Sequence, residues 1–184
     1  MEPEKKKRLL VFARQVLENE LKGTNHNLEL FDTPEFIEKR GLFVSLHLKG
    51  NLRGCIGRIE PKNSIYDNII DLSKAAAFDD HRFNNLTLKE LEKVRIEISI
   101  LTVPKKVEGL SSYEKIMKIR PKKDGVILSA NHQSATFLPQ VWESLPIRED
   151  FIGSLCRKAG LPGDYWENNN IDLSVYQVEH FEEQ

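Results

Sequence analysis

Cysteine is scarce in this chain: Cys55 and Cys156 are the only two among 184 residues. Two thiols far apart in sequence, with no C-x-x-C pair, exclude a disulfide-stapled scaffold and point to a reducing compartment. Long hydrophobic runs are missing as well. The N-terminus, MEPEKKKRLLVFARQVLENELKG, sets basic residues before apolar ones, but Arg14 and Gln15 interrupt the apolar run and acids follow, unlike a signal peptide. No segment approaches the ~20 apolar residues that a membrane span needs. A cytoplasmic protein without a membrane anchor is therefore expected. An excess of either charge is also absent, since 27 Lys and Arg stand against 28 Asp and Glu for a net charge of −1. That balance argues against nucleic-acid binding through bulk charge. The local basic runs KKKR (Lys5–Arg8) and PKK (Pro121–Lys123) have no aromatics between them and read as solvated surface. There is no low-complexity tract and no repeat beyond two hairpin-like stretches.

What is present is an ordinary globular composition, 40% hydrophobic and 30% charged, in a length compatible with one core or two lobes. Leu9, Phe12, Ala13, Val16, Leu17 and Leu21 recur at helical spacing, with Gly23 as a stop. Thr24–Arg40 is polar and reads as a connection. Leu42, Val44, Leu46 and Leu48 then alternate with Phe43, Ser45 and His47. A break at KGN and a second run from Leu52 to Ile59 complete a β-hairpin. Strict alternation puts Arg53, Cys55 and Gly57 on one face of its second strand, and Leu52, Gly54, Ile56 and Arg58 on the other.

Ser64 can cap a helix through Ile65, Ile69, Leu72 and Ala76, and FDDHRFNN (Phe78–Asn85) ends it. TLKE (Thr87–Glu90) has capping-box spacing, and RIEISILTV is a strand with Ile96, Ile98 and Ile100 on one face. A smaller lobe or insertion is expected within about 104–146, with a capped helix at SSYEKIMKI and a hairpin around ANHQS. Ile147, Phe151, Leu155 and Ala159 form a helical stripe ending at Gly160, GLPGDYW is a turn, and IDLSVYQVEHF alternates as one final strand. Strands in hairpins between helices, without a βαβ rhythm, predict an α+β fold with mainly antiparallel sheet and flanking helices.

The stretch LRGCIG, residues 52–57, sets Cys55 between Gly54 and Gly57 with Arg53 and Arg58 close by. Cationic neighbours favour a thiolate, and glycines let a ligand approach the backbone. The bland reading is a small buried cysteine in a crowded sheet. No histidine declares itself as a base: His47 lies across the hairpin, and His132 sits in a turn. Cys55, His47, His81 and Asp80 lack the clustered spacing of a zinc site, so no metal is expected. Asp80 with Arg82 reads equally as an anion-binding arm or an ion pair fixing the loop. Gln140 in LPQVW is a further candidate for the same site. Trp142 beside it and Cys156 read as core, and Tyr165 and Trp166 as lobe packing or a partner patch.

Taken together, GLFVSLHLKGNLRGCIGRIEP, AAAFDDHRFNNLTLKEL, RIEISILTVP, DGVILSANHQSATFLPQVWE and FIGSLCRKAGLPGDYW resemble successive blocks of the AMMECR family, named for the Alport–midface hypoplasia–elliptocytosis candidate region. The resemblance spans about residues 5–181, with LRGCIG as the family signature. It implies a single AMMECR-type domain over 1–184, with a larger and a smaller lobe and the signature hairpin at a cleft between them. It further implies gene company with a Memo-like protein and a radical SAM protein, no agreed activity and no cofactor. The family usually reads D-P-R-F-P-P where this chain has Asp80, His81, Arg82, Phe83, Asn84 and Asn85, so His81 stands in place of a proline.

Two functions from different classes follow. One is an enzyme or enzyme-associated subunit whose cleft binds an anionic small molecule or protein segment. Its candidate binding residues are Arg53, Gly54, Gly57, Asp80, Arg82 and Gln140, and its candidate nucleophile is Cys55. The other is a non-catalytic adaptor that presents the cleft to a Memo-like or radical SAM partner. RNA or nucleotide binding rests only on scattered basic residues.

Overall fold

The structure, a computed structural model, describes residues 1–26, 28–31 and 33–184, with backbone alone at Glu29 and Leu30. Asn27 and Asp32, inside the expected connection Thr24–Arg40, lie outside the described residues. The fold is α+β, with two antiparallel four-stranded sheets. The chain divides into two compact units, residues 1–101 with 179–184, and residues 102–178. Among the described residues no helix is long and apolar enough to cross a membrane.

The first unit begins with α1 (Pro3–Lys22), which takes Pro3 in its first turn and ends where Gly23 adopts φ 64°. That left-handed conformation costs glycine little and lets its N–H close on the last turn. The hairpin follows: β1 (Leu42–Leu48) and β2 (Asn51–Arg58) joined through Lys49 and Gly50, both at positive φ. Ser64 caps α2 (Ile65–Phe78) by accepting the Asp67 N–H, and Thr87 and Glu90 form the capping box of α3 (Leu88–Leu91). β3 is Val94–Leu101. The strand order is β2-β1-β3-β8, with β8 (Val178–Glu182) supplied by the end of the chain. Leu42, Val44 and Leu46 from β1 and Ile96 and Ile98 from β3 are fully buried with Leu9, Phe12, Val16 and Leu17 of α1 and Ile69 of α2. The helical and strand periodicities therefore converge on one core.

The second unit contains β4 (Lys105–Lys106), α4 (Ser112–Lys118), β5 (Gly125–Ala130), β6 (Gln133–Phe137), α5 (Arg148–Lys158), α6 (Tyr165–Asn168) and β7 (Asp172–Tyr176). Its sheet runs β4-β7-β5-β6. The expected lobe at about 104–146 lies inside this unit. The unit continues to Val178 because β7 pairs with both β4 and β5. Trp142 is fully buried, stacked on Phe151 at 3.7 Å, and donates its indole N–H to the Asp124 carbonyl at 2.8 Å. Cys156 is buried in the same core, where loss of hydration pushes its thiol pKa up. Tyr165 and Trp166 pack partly buried against this core.

One expected element divides. The final run is two strands in two sheets, β7 and β8, separated at Gln177. The Gln177 N–H goes to Thr102 Oγ1, its carbonyl accepts the Thr102 N–H, and its side-chain amide reaches Asp124 Oδ1 at 3.0 Å. These bonds pin the crossover, so alternation continues while the sheet changes.

The glycines of the hairpin are fixed by packing. A Cβ on Gly54 would lie 2.1 Å from the carbonyl oxygen of Ala76 in α2, and one on Gly57 would lie 2.1 Å from the Phe43 ring. Helix backbone cannot step aside for a methyl group. Gly54→Ala is expected to cost at least about 1–3 kcal/mol in urea unfolding. A loss below about 0.5 kcal/mol, the range of neutral surface changes, would mean that α2 does not seat on β2.

Candidate functional site

β2 is an edge strand, and edge strands expose backbone N–H and C=O groups that need partners. At Cys55 side chains supply them. Asp80 Oδ2 accepts the Cys55 N–H at 2.8 Å, and Arg82 Nη2 donates to the Cys55 carbonyl at 3.3 Å. Asp80 comes just after α2 and is 7% exposed. Its carboxylate also accepts Arg82 Nε at 2.9 Å, Arg82 Nη2 at 2.7 Å and the Arg82 backbone N–H at 3.2 Å. Arg82 is the largest influence holding the Asp80 carboxyl far below the usual carboxylate range; the Cys55 and Arg82 amides assist, and burial opposes them.

Arg53 is placed by a break in register. Leu46 pairs with Gly54, but His47 pairs with Leu52, so Arg53 is an extra residue in β2. Such a bulge redirects a side chain and bends the strand. Cys55 pairs with Ser45 and Leu52 with His47, which gives Leu52 the sheet face that simple alternation assigned to Arg53. Arg53 instead crosses to the loop after α2. Its Nε and Nη2 meet the Glu90 carboxylate at 3.0 and 3.3 Å, and Nη2 also donates to the Asn84 carbonyl at 2.9 Å. Glu90 is held below its ordinary pKa, first by Arg53 and then by Thr87. Among the described residues nothing accepts from Arg53 Nη1, although that atom is buried.

Arg53 and Arg82 wall a hollow of about 540 Å³ together with His81, Phe83, Asn84, Asn85, Thr87 and Glu90, all from the first unit. The Phe83 ring centroid lies 5.9 Å from Arg53 Cζ and 5.5 Å from Arg82 Cζ. Arg82 keeps 58% of its side chain exposed. Nε and Nη2 are spent on Asp80 and Cys55, and Nη1 has no acceptor among the described residues. Geometrically this is a fixed cation with two free N–H groups, suited to an oxygen pair on an anion.

The other candidates fall elsewhere. Cys55 is half-buried, and its Sγ accepts a hydrogen bond from Ser45 Oγ at 3.3 Å, but the side chain is not part of the hollow's wall. Gly54 and Gly57 have their free space filled by Ala76 and Phe43. They are packing positions in this fold and leave no room for a ligand. Arg58 turns to Asn68 and Asp71, at 3.2 and 3.1 Å. Gln140 is exposed in the second unit, and the hollow's walls come from the first unit alone. His47 Nε2 lies 3.2 Å from Glu97 Oε2, on the strand opposite the hairpin partner. Among the described residues no group of three or more His, Cys, Asp or Glu is placed to hold a metal ion. Sequence reasoning missed Phe83, Asn84, Asn85 and the second role of Glu90. Its capping box marked Glu90 as a helix start, but nothing local signals a tie to Arg53.

The AMMECR1 family profile matches residues 10–181. The chain belongs to the AMMECR1 family. Among AMMECR1 relatives, a protein of Methanothermobacter thermautotrophicus is 36% identical over 182 residues, covering 95% of this chain and 92% of the relative. Protein MJ0810 of Methanocaldococcus jannaschii is 36% identical over 180 residues, covering 94% and 87%. The crystal structure of uncharacterized protein PH0010 from Pyrococcus horikoshii superposes with a TM-score of 0.79 at 34% identity, covering 96% of this chain and 90% of that one. None of these three names assigns an activity.

The Asp80 brace has a defined pH signature. The folded protein binds the Asp80 proton less readily than the unfolded chain, so its stabilisation is complete above the unfolded value of about 4. It is lost as pH falls toward the folded value. Asp80→Asn is expected to lower the urea midpoint near neutrality, and its gap from the unmodified protein should narrow below pH ~4. A gap independent of pH would show that Asp80 does not act as an ionised brace.

Proposed function

We propose that this AMMECR1-family protein is an enzyme or enzyme-associated subunit that binds an anionic group, a carboxylate or phosphate on a small molecule or protein segment, at the Arg82 end of the hollow. The observation that carries the reading is the Arg82 guanidinium. Asp80 locks it in place, yet it is more than half exposed with Nη1 uncommitted. A preorganised guanidinium loses little conformational freedom when an anion docks. Arg53 supports the wall, and Phe83, Asn84 and Asn85 add a ring face and amides for the rest of the ligand. Because Asp80 and Glu90 balance the two arginines, recognition depends on the placement of donors more than on net charge.

Cys55 contributes backbone to the brace, and its thiol is the candidate nucleophile beside it. A cytoplasmic setting goes with the reading, because Cys55 and Cys156 are both free thiols. The second reading, an adaptor for a Memo-like or radical SAM protein, is favoured by one observation: the only hydrogen-bond partner of Cys55 Sγ among the described residues is a serine hydroxyl, which is no base.

Inorganic phosphate, pyrophosphate and citrate, titrated while the arginine Nε–H signals are followed by NMR, test the reading. At least one is expected to shift the Arg82 signal saturably, and Arg82→Gln to weaken that binding at least about tenfold. Arg58→Gln, outside the hollow, should retain it. Unchanged binding in Arg82→Gln, or no Arg82 shift with any of the three, overturns anion recognition here. Cys55→Ser separates the thiol from the brace. Rapid labelling of Cys55 by iodoacetamide supports a nucleophile, and labelling no faster than a small-molecule thiol favours the adaptor.

A further inference from the structure

In the second unit, α4 buries Ser112, Lys115 and Ile116 and turns the opposite side to water. On that side Leu110 is 93% exposed, Tyr113 58% and Met117 47%. Their spacing of i, i+3 and i+7 makes one stripe along the helix and the residue that leads into it. Ile147, the cap residue of α5, is 55% exposed. Its neighbour Arg148 donates from Nε to the Ile119 carbonyl at 3.1 Å, which brings the start of α5 beside the end of α4. Single exposed apolar side chains are ordinary, but a contiguous row rimmed by charge marks an interaction surface.

The rim is basic. Lys118 donates to the Glu108 carbonyl, and among the described residues neither it nor Lys122, Lys123 or Arg148 forms an ion pair. Glu114 shares the outer face, but its carboxylate caps the Leu110 N–H at 2.9 Å. Glu149 lines a different hollow with Arg157 and Trp166.

We propose that the Leu110–Tyr113–Met117 stripe, with Ile147 and the basic rim, docks an acidic amphipathic helix of a partner protein. The charge sign selects the partner, since unpaired lysines meet their complement in glutamates flanking an apolar seam. A second copy of this chain would bring the same lysines face to face. The stripe's length, about two helical turns, suits a helix better than a lipid surface, which takes up longer apolar faces lying flat. This inference stands apart from the anion site, which belongs to the first unit.

The test is fluorescence anisotropy of the full chain with a labelled synthetic helix carrying leucines at i, i+3, i+4 and i+7 and glutamates elsewhere. Saturable binding is expected. It should weaken at least about tenfold both in Leu110→Ser/Met117→Ser and in Lys118→Glu/Lys122→Glu. These surface changes should leave the circular dichroism and urea midpoint unaltered. Equal binding of a leucine–lysine helix of the same pattern overturns the proposal, as does absence of binding. Binding only to phosphatidylserine vesicles, or self-association that depends on Leu110 and Met117, assigns the patch to another occupant and overturns it as well.

Discussion

An edge strand must do something with its outward-facing amides, and at Cys55 that task falls to a single carboxylate. Asp80 accepts the Cys55 N–H and simultaneously clamps Arg82, whose guanidinium returns to the Cys55 carbonyl. One buried acid therefore closes the sheet edge, fixes the loop after α2 and orients a cation. An unpaired carboxylate at 7% exposure would be costly, so the pair is mutually required. The loop carrying His81, Phe83, Asn84 and Asn85 is held at one end by this clamp and at the other by Arg53 on the Asn84 carbonyl and Glu90.

The two arginines at the hollow have different standing. Arg53 is largely covered and spends its donors on Glu90 and two loop carbonyls, so it works chiefly as a strut. Arg82 is braced from behind and open in front. Residues with this pairing of rigidity and exposure suit recognition, because the free state already resembles the bound one. The glycines around the sulfur have a separate explanation: Gly54 lets α2 approach β2, and Gly57 lies under Phe43. The motif's spareness thus reflects close packing on either side of the sheet.

Much of the secondary structure was legible because it is written in local chemistry. The αL glycine after α1, the Ser64 cap, the Thr87–Glu90 box and the alternation of β1 and β3 are each declared within a few residues. The bulge at Arg53 was not, since a shift of register changes no residue type and moves a side chain to a new neighbour. The division at Gln177 escaped for a similar reason. Asp172–Glu182 alternates throughout, and only Thr102 and Asp124, far away in sequence, mark where it changes sheets.

By itself, the sequence determined the family, the α+β class, the hairpins and the importance of the region joining LRGCIG to Asp80 and Arg82. Periodicity, caps and motif order are local or linear properties, and a linear text carries them. Tertiary structure alone decided that Arg53 leaves the sulfur's face, that Gly54 and Gly57 are filled by the protein itself, and that Glu90 and Phe83 complete the hollow. Those outcomes depend on which atoms meet across 25 to 37 positions of chain, as in the Cys55–Asp80 and Arg53–Glu90 contacts. Only the packed backbone sets such distances.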